Sequence, residues 1–222
     1  MSTPRIEIKI CGLTTKAAAM ACAAAGADAI GMVFHAASPR NVNPAQAHEI
    51  TANLPARVAR VGVFVNQTAE EILQIVTQAG LNCVQLHGAP GKQSYELFLQ
   101  QGLHVVQMLC GRGANLLSQA AKLPPAVGVL VECGRGALPG GNGTPWNWGE
   151  AIVLHGIRPY AVAGGLAPSN VKEALTASGA SAVDVSSGVE SAPGIKDLAK
   201  VTALINAVRS SGASGGGNVF RN

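Results

Sequence analysis

Short runs of β-branched and apolar residues recur along the chain at nearly even spacing, and a segment of helical composition follows each one. The runs predict strands at Ile6–Ile10, Ala29–Phe34, Val58–Val65, Cys83–Leu86, His104–Leu109, Gly128–Glu132, Tyr160–Ala163 and Ala182–Val185. Most are continuously apolar, as expected of a parallel sheet covered on both faces. Between them, Thr14–Ala25 is alanine-rich and opens on a capping threonine. Asn43-Pro44 sets proline in a favourable first-turn position. Thr68-Ala-Glu-Glu71 fits a capping box, in which threonine and glutamate satisfy each other's free amides. Further helices are predicted at Ser94–Gln101, Ala114–Lys122, Trp148–His155, Pro168–Ser178 and Lys196–Ser210. Gly26, Gly80, Gly102 and Gly179 follow helical stretches, where glycine takes the left-handed cap geometry at little cost.

Unbroken strand–helix alternation fits a closed barrel or an open doubly wound sheet with a strand or two misassigned. Eight units in about 210 residues favour a single (β/α)8 TIM barrel at the compact end of its range. The barrel is expected over residues 1–210. Ser211–Asn222, SGASGGGNVFRN, is expected to be a disordered tail.

Composition narrows the class of partner. The 222 residues carry 16 basic and 12 acidic side chains, a net charge of +4, with no run of five like charges. That argues against a nucleic-acid or membrane-surface binder and for a small-molecule ligand. The chain is 48% hydrophobic but 4% aromatic, so its core is built of Ala, Val, Ile and Leu. The longest apolar stretch, Ala17–Ala27, is 11 residues, well short of the roughly 20 needed to span a bilayer. The five cysteines (11, 22, 83, 110, 133) include no C-x-x-C pair, which favours reduced thiols in a cytoplasm. The five histidines show no metal-ligand spacing, so no structural or catalytic zinc site is expected. Nothing in the pattern separates monomer from homodimer.

In such a barrel the chemistry sits on the loops that follow the strands. Ala163-Gly-Gly-Leu166 follows the seventh strand and Val185-Ser-Ser-Gly188 the eighth. Small residues there let backbone N–H groups converge on an anion, and these two loops commonly hold phosphate. Cys11 leaves the first strand at the barrel mouth, where a thiol can serve as nucleophile or base if its pKa is lowered; the other reading is a small core hydrophobe. Arg40 can grip a carboxylate through its planar fork or stand as an exposed loop arginine. His87 either touches ligand or closes the barrel rim. Glu132 ends an otherwise apolar strand, as a partner acid for Cys11 or as a solvated rim charge. Asn66 also lies just past a strand.

KICGLT, GMVFHAASPRNV, VGVFVN, VQLHG, AVAGGLAPSNV and VDVSSGVESAPGIKD occur in this order, and through them the chain from Ile8 to Asp197 resembles the phosphoribosylanthranilate isomerase family of tryptophan biosynthesis. The resemblance implies a cofactor-free (β/α)8 barrel that converts an aminoaldose phosphate to an aminoketose phosphate by an Amadori rearrangement. It makes Cys11 the general base at C2′ of the ribosyl chain and Arg40 the partner of the anthranilate carboxylate. It assigns phosphate to Gly164, Gly165, Ser186, Ser187 and Gly188, and counts His87 and Asp184 among the substrate-binding residues. The family's acid is an aspartate at the end of strand six; counting back from Gly140-Gly-Asn-Gly puts Glu132 in its place, one methylene longer. Asn147 stands where the family has an aspartate, and His35 where an aromatic is expected. Two other functions share these motifs: a phosphate-ligand-binding barrel with impaired catalysis, and an isomerase or epimerase of another sugar phosphate. Arg40 argues against the latter, because a substrate without a carboxylate leaves it no partner.

Overall fold

The computed structural model describes residues 5–88, 90–133 and 145–221. Eight parallel strands close into a barrel in chain order: β1 (Glu7–Cys11), β2 (Ala29–Phe34), β3 (Ala59–Val65), β4 (Cys83–His87), β5 (His104–Leu109), β6 (Val127–Val131), β7 (Tyr160–Val162) and β8 (Ala182–Val185). β8 returns to β1, with Lys9 opposite Asp184, so the open-sheet alternative is excluded. Helices α1 (Lys16–Ala25), α2 (Pro44–Thr51), α3 (Ala69–Ala79), α4 (Lys92–Gln100), α5 (Gly113–Ala121), α6 (Val171–Ser178) and α7 (Leu198–Arg209) cover the outside. The described residues contain no helix long and apolar enough to cross a membrane.

Local chemistry accounts for most boundaries. The side chains of Thr15, Asn43 and Thr68 cap α1, α2 and α3, the last two as full capping boxes. Gly26, Gly80 and Gly179 end their helices at positive φ. The sixth connection departs from expectation: Trp148–Leu154 is a 3-10 helix, opened by an Asn147 side chain that accepts from the Gly149 amide. Its short segment carries Gly149 at the start and β-branched Ile152 and Val153 within it, all poor helix formers.

The last helix starts later than expected. Glu190–Ala192 (β9) and Ile195–Lys196 (β10) form a small antiparallel hairpin after β8. Pro193-Gly194 turns it, with Gly194 at φ 82°. Lys196 therefore lies in a strand, and α7 begins at Leu198 under an Asp197 cap.

The expected disordered tail packs onto the barrel. Val219 and Phe220 are buried among Ala29, Ala59, Ala161 and Ala182, whose small side chains leave room inside the barrel. Glu7 accepts the Val219 and Phe220 amides at 2.6 and 2.9 Å, and Arg221 Nε pairs with its other oxygen at 2.6 Å. The glycine-rich stretch reads as a linker by composition, but the Val-Phe-Arg after it has both an apolar pocket and a buried carboxylate to meet.

β1 shows how the site end is placed. Ile6, Ile8 and Ile10 pack in the layer between sheet and helices. The alternate residues Glu7, Lys9 and Cys11 climb the barrel interior, all buried, with Cys11 at the mouth.

Candidate active site

A cleft of about 750 Å³, counted with its open mouth, occupies the C-terminal end of the barrel. Its lining includes Cys11, His35, Arg40, Gln85, His87, Glu132, Gly164, Gly165, Asp184, Ser186 and Ser187. Nine of the ten residues that the family resemblance assigns to catalysis or substrate binding thus meet in one place. Gly188 lies behind that surface: a Cβ there would fall 1.9 Å from the Leu166 carbonyl oxygen, so the loops after β7 and β8 touch backbone to backbone. Asn66 lines a different pocket with Phe64, His87 and Pro90. The segment 134–144, with the glycines used to place Glu132, lies outside the described residues.

Cys11 ends β1 and Glu132 directly follows β6, three strand steps away around the barrel, so they face the cleft from different sides. Burial pushes the Cys11 thiol above its ordinary pKa, an effect Lys9 opposes and Asp184 reinforces. Gly12, next in the chain, adopts φ 77°, and a Cβ on it would sit 2.4 Å from the Arg40 side chain. Glycine there lets Arg40 pass close to the end of β1. Gly164 has a similar spacing role, since a Cβ would come 3.3 Å from Glu132 Cγ and 3.2 Å from the Trp146 ring. Trp146 and Trp148 donate to the carbonyls of Ala163 and Gly164, at 2.7 and 3.0 Å. These contacts hold the double glycine in consecutive left-handed conformations, φ 84° and 69°.

The arginine already has a carboxylate. Arg40 Nε and Nη2 grip Glu190 at 2.8 and 2.7 Å, a two-point pairing with both side chains buried. Lys196 Nζ meets the same carboxylate at 2.6 Å and reaches the Ser186 carbonyl at 3.3 Å. Burial alone would raise the Glu190 pKa, but its two cations hold the carboxyl below the usual range. The triad carries a net positive charge beside the loop of Ser186 and Ser187. Across the cleft, Gln85 Nε2 lies 3.1 Å from His87 Nε2. The buried oxygens Gln85 Oε1 and Asp184 Oδ1 have no hydrogen-bond partner among the described residues. No group of three or more His, Cys, Asp or Glu among those residues is placed to hold a metal ion.

Sequence reasoning missed Lys9, Gln85, Glu190 and Lys196. Lys9 was visible as a charge alternating with isoleucines in a strand buried on both faces. Glu190 and Lys196 were visible in the Pro-Gly turn between them, a hairpin signal that brings its flanks together.

Comparison with known proteins decides the family. The profile of N-(5'phosphoribosyl)anthranilate (PRA) isomerase matches residues 8–207. The chain belongs to this family. The N-(5'-phosphoribosyl)anthranilate isomerase of Rubrobacter xylanophilus is 41% identical over 204 residues, 92% of this chain and 99% of that protein. Its counterpart from Pseudomonas paraeruginosa is 42% identical over 210 residues, 94% and 98% of the two chains. Among solved structures, the phosphoribosyl anthranilate isomerase of Thermotoga maritima superposes with a TM-score of 0.83 at 32% identity, covering 92% of this chain and 98% of that one. A phosphoribosyl anthranilate isomerase in complex with reduced 1-(o-carboxyphenylamino)-1-deoxyribulose 5-phosphate matches with a TM-score of 0.79 at 31% identity, with the same coverage.

Proposed function

We propose that the protein isomerises N-(5′-phosphoribosyl)anthranilate to 1-(2-carboxyphenylamino)-1-deoxyribulose 5-phosphate in tryptophan biosynthesis, with Cys11 as general base and Glu132 as general acid. The observation that carries the reading is the pairing of a thiol and a carboxyl on separate walls of one cleft that also contains the Gly164-Gly165 and Ser186-Ser187 loops. Membership of the isomerase family supplies the substrate.

The chemistry needs two proton transfers at different atoms. Glu132 protonates the furanose oxygen as the anilino nitrogen lone pair opens the ring to an iminium at C1′. Cys11 as thiolate then removes the proton from C2′, leaving an enolamine that gains a proton at C1′ and loses one from the 2′-hydroxyl to become the ketone. Acid and base must face different atoms of one substrate with suitable protonation states, which two walls of a barrel mouth allow. The backbone N–H groups of the glycine and serine loops take the phosphate, aided by the net positive triad behind them. Arg40 spends two of its five N–H groups on Glu190 and keeps Nη1 for the anthranilate carboxylate. Glu190 thus orients the arginine that binds the ligand.

Cys11→Ala and Glu132→Gln are each expected to lower kcat by about 10²–10⁴-fold, the usual contribution of a positioned acid or base. Affinity for the reduced product analogue should change little. Turnover within a few-fold of the native protein in either variant would refute that residue's role.

A further inference from the structure

We infer that Lys9, seated beside Cys11 in a notch left by Gly31, is a positioning residue whose ammonium supplies the counter-charge for the Cys11 thiolate. The inference rests on the isomerase reading for its purpose, but its physical content is a property of the folded barrel.

The problem it solves is one of solvation. Cys11 is only 8% exposed, and a buried thiol resists losing its proton unless a cation stands close. Lys9 lies two residues earlier on β1, so both side chains point into the barrel. Its Nζ donates to Asp184 Oδ2 at 2.8 Å and stands close enough to Cys11 for each to shift the other's protonation. The Phe220 ring lies 5.7 Å from the ammonium. Burial would lower the lysine's pKa, but Asp184 and Cys11 together hold it above the usual range, so the cation persists wherever the enzyme works.

Gly31 is the second, independent observation. It pairs with Cys11 across β1 and β2. A Cβ built on it would fall 2.7 Å from Cys11 Sγ, 2.9 Å from Lys9 Cε and 3.1 Å from Lys9 Nζ. The missing side chain is therefore the space that sulfur and ammonium share. Gly31 is not at positive φ, so chain geometry does not require glycine there; the neighbours do.

The other charges around Cys11 do not replace Lys9. Asp184 on β8 opposes the thiolate. Arg40 and Lys196 are both bound to Glu190. Among the cations that favour the thiolate, Lys9 acts most strongly and Lys196 less so.

The test is the pH dependence of Cys11 alkylation by iodoacetamide, followed on the Cys11 peptide by mass spectrometry, beside the pH profile of kcat/KM. In Lys9→Met the alkylation midpoint should rise by about 1–3 pH units, the effect of removing a close opposite charge. The acid limb of kcat/KM should move with it while KM stays nearly constant. Gly31→Ala keeps the lysine but pushes it from the sulfur, and should raise the midpoint in the same direction. If Lys9→Met leaves Asp184 too poorly compensated to fold, Lys9→Met/Asp184→Asn removes both charges and should still shift the midpoint upward by a smaller amount. An unmoved midpoint in the folded variants overturns the inference and leaves Lys9 as a counter-ion for Asp184 only. Alkylation reads the thiol directly, so a native protein that turns over no substrate would refute the isomerase reading without obscuring this result.

Discussion

Glu132 carries one methylene more than the aspartate implied by the family resemblance. The absent Cβ of Gly164 leaves room for Glu132 Cγ, which a larger residue would crowd at 3.3 Å. Aspartate also has a γ-carbon, so this contact fixes the base of the side chain and the carboxyl's reach is what a variant tests. Glu132→Asp should withdraw the carboxyl by about 1 Å and cost on the order of a hundredfold in kcat; a faster aspartate variant would show the acid to be displaced in the native protein. Glu190 is the other residue whose consequence is quantitative. Removing its charge in Glu190→Gln strands Arg40 and Lys196 as buried cations, a loss expected at about 3–5 kcal/mol in urea unfolding. Because its carboxyl lies below the ordinary range when folded, its stabilisation is complete above the unfolded pKa of about 4.3 and fades as pH falls through the folded value. The native protein should thus lose stability in acid more steeply than Glu190→Gln.

Elements were the most legible level, because strand runs and caps are local. Asn43 and Thr68 announce α2 and α3 by chemistry that acts within four residues, and both capping boxes form. Thr68→Ala should cost about 1 kcal/mol, seen as a lower urea midpoint. A loss below about 0.2 kcal/mol would mean water replaces the threonine fully. The β9–β10 hairpin was harder to see, since its strands are only three and two residues long. Its Pro-Gly turn was the available signal, and the turn matters: it returns Lys196 to Glu190 and places the Gly194 carbonyl where Thr14 Oγ1 donates to it at 3.0 Å. Contacts such as Arg40 with Glu190 span 150 residues, and no local pattern encodes them.

For the whole molecule, closure of the barrel and its family were both legible, one from the count of units and the other from motifs spread from Ile8 to Asp197. The packing of 211–221 was not, because its glycines mimic a linker and its partners lie at the opposite end of the sequence. Glu7, a charge inside a barrel strand, was half of the missing signal. Phe220 fills space bounded by alanines and lies beneath Lys9, so the C-terminal segment supports the polar layer under the site. Phe220→Ala should destabilise the fold by about 3–5 kcal/mol, as large-to-small core changes do. A loss below about 1 kcal/mol would mean the segment contributes little to the barrel.

The central claim is that this barrel rearranges phosphoribosylanthranilate, and the most direct measurement is to mix the purified protein with that compound and follow the loss of its fluorescence. The native protein is expected to convert it to the carboxyphenylamino-deoxyribulose phosphate at an enzymatic rate, with Cys11→Ala close to the uncatalysed background. Binding of the product analogue without any conversion by the native protein would contradict the claim and leave a ligand-binding barrel of the same family.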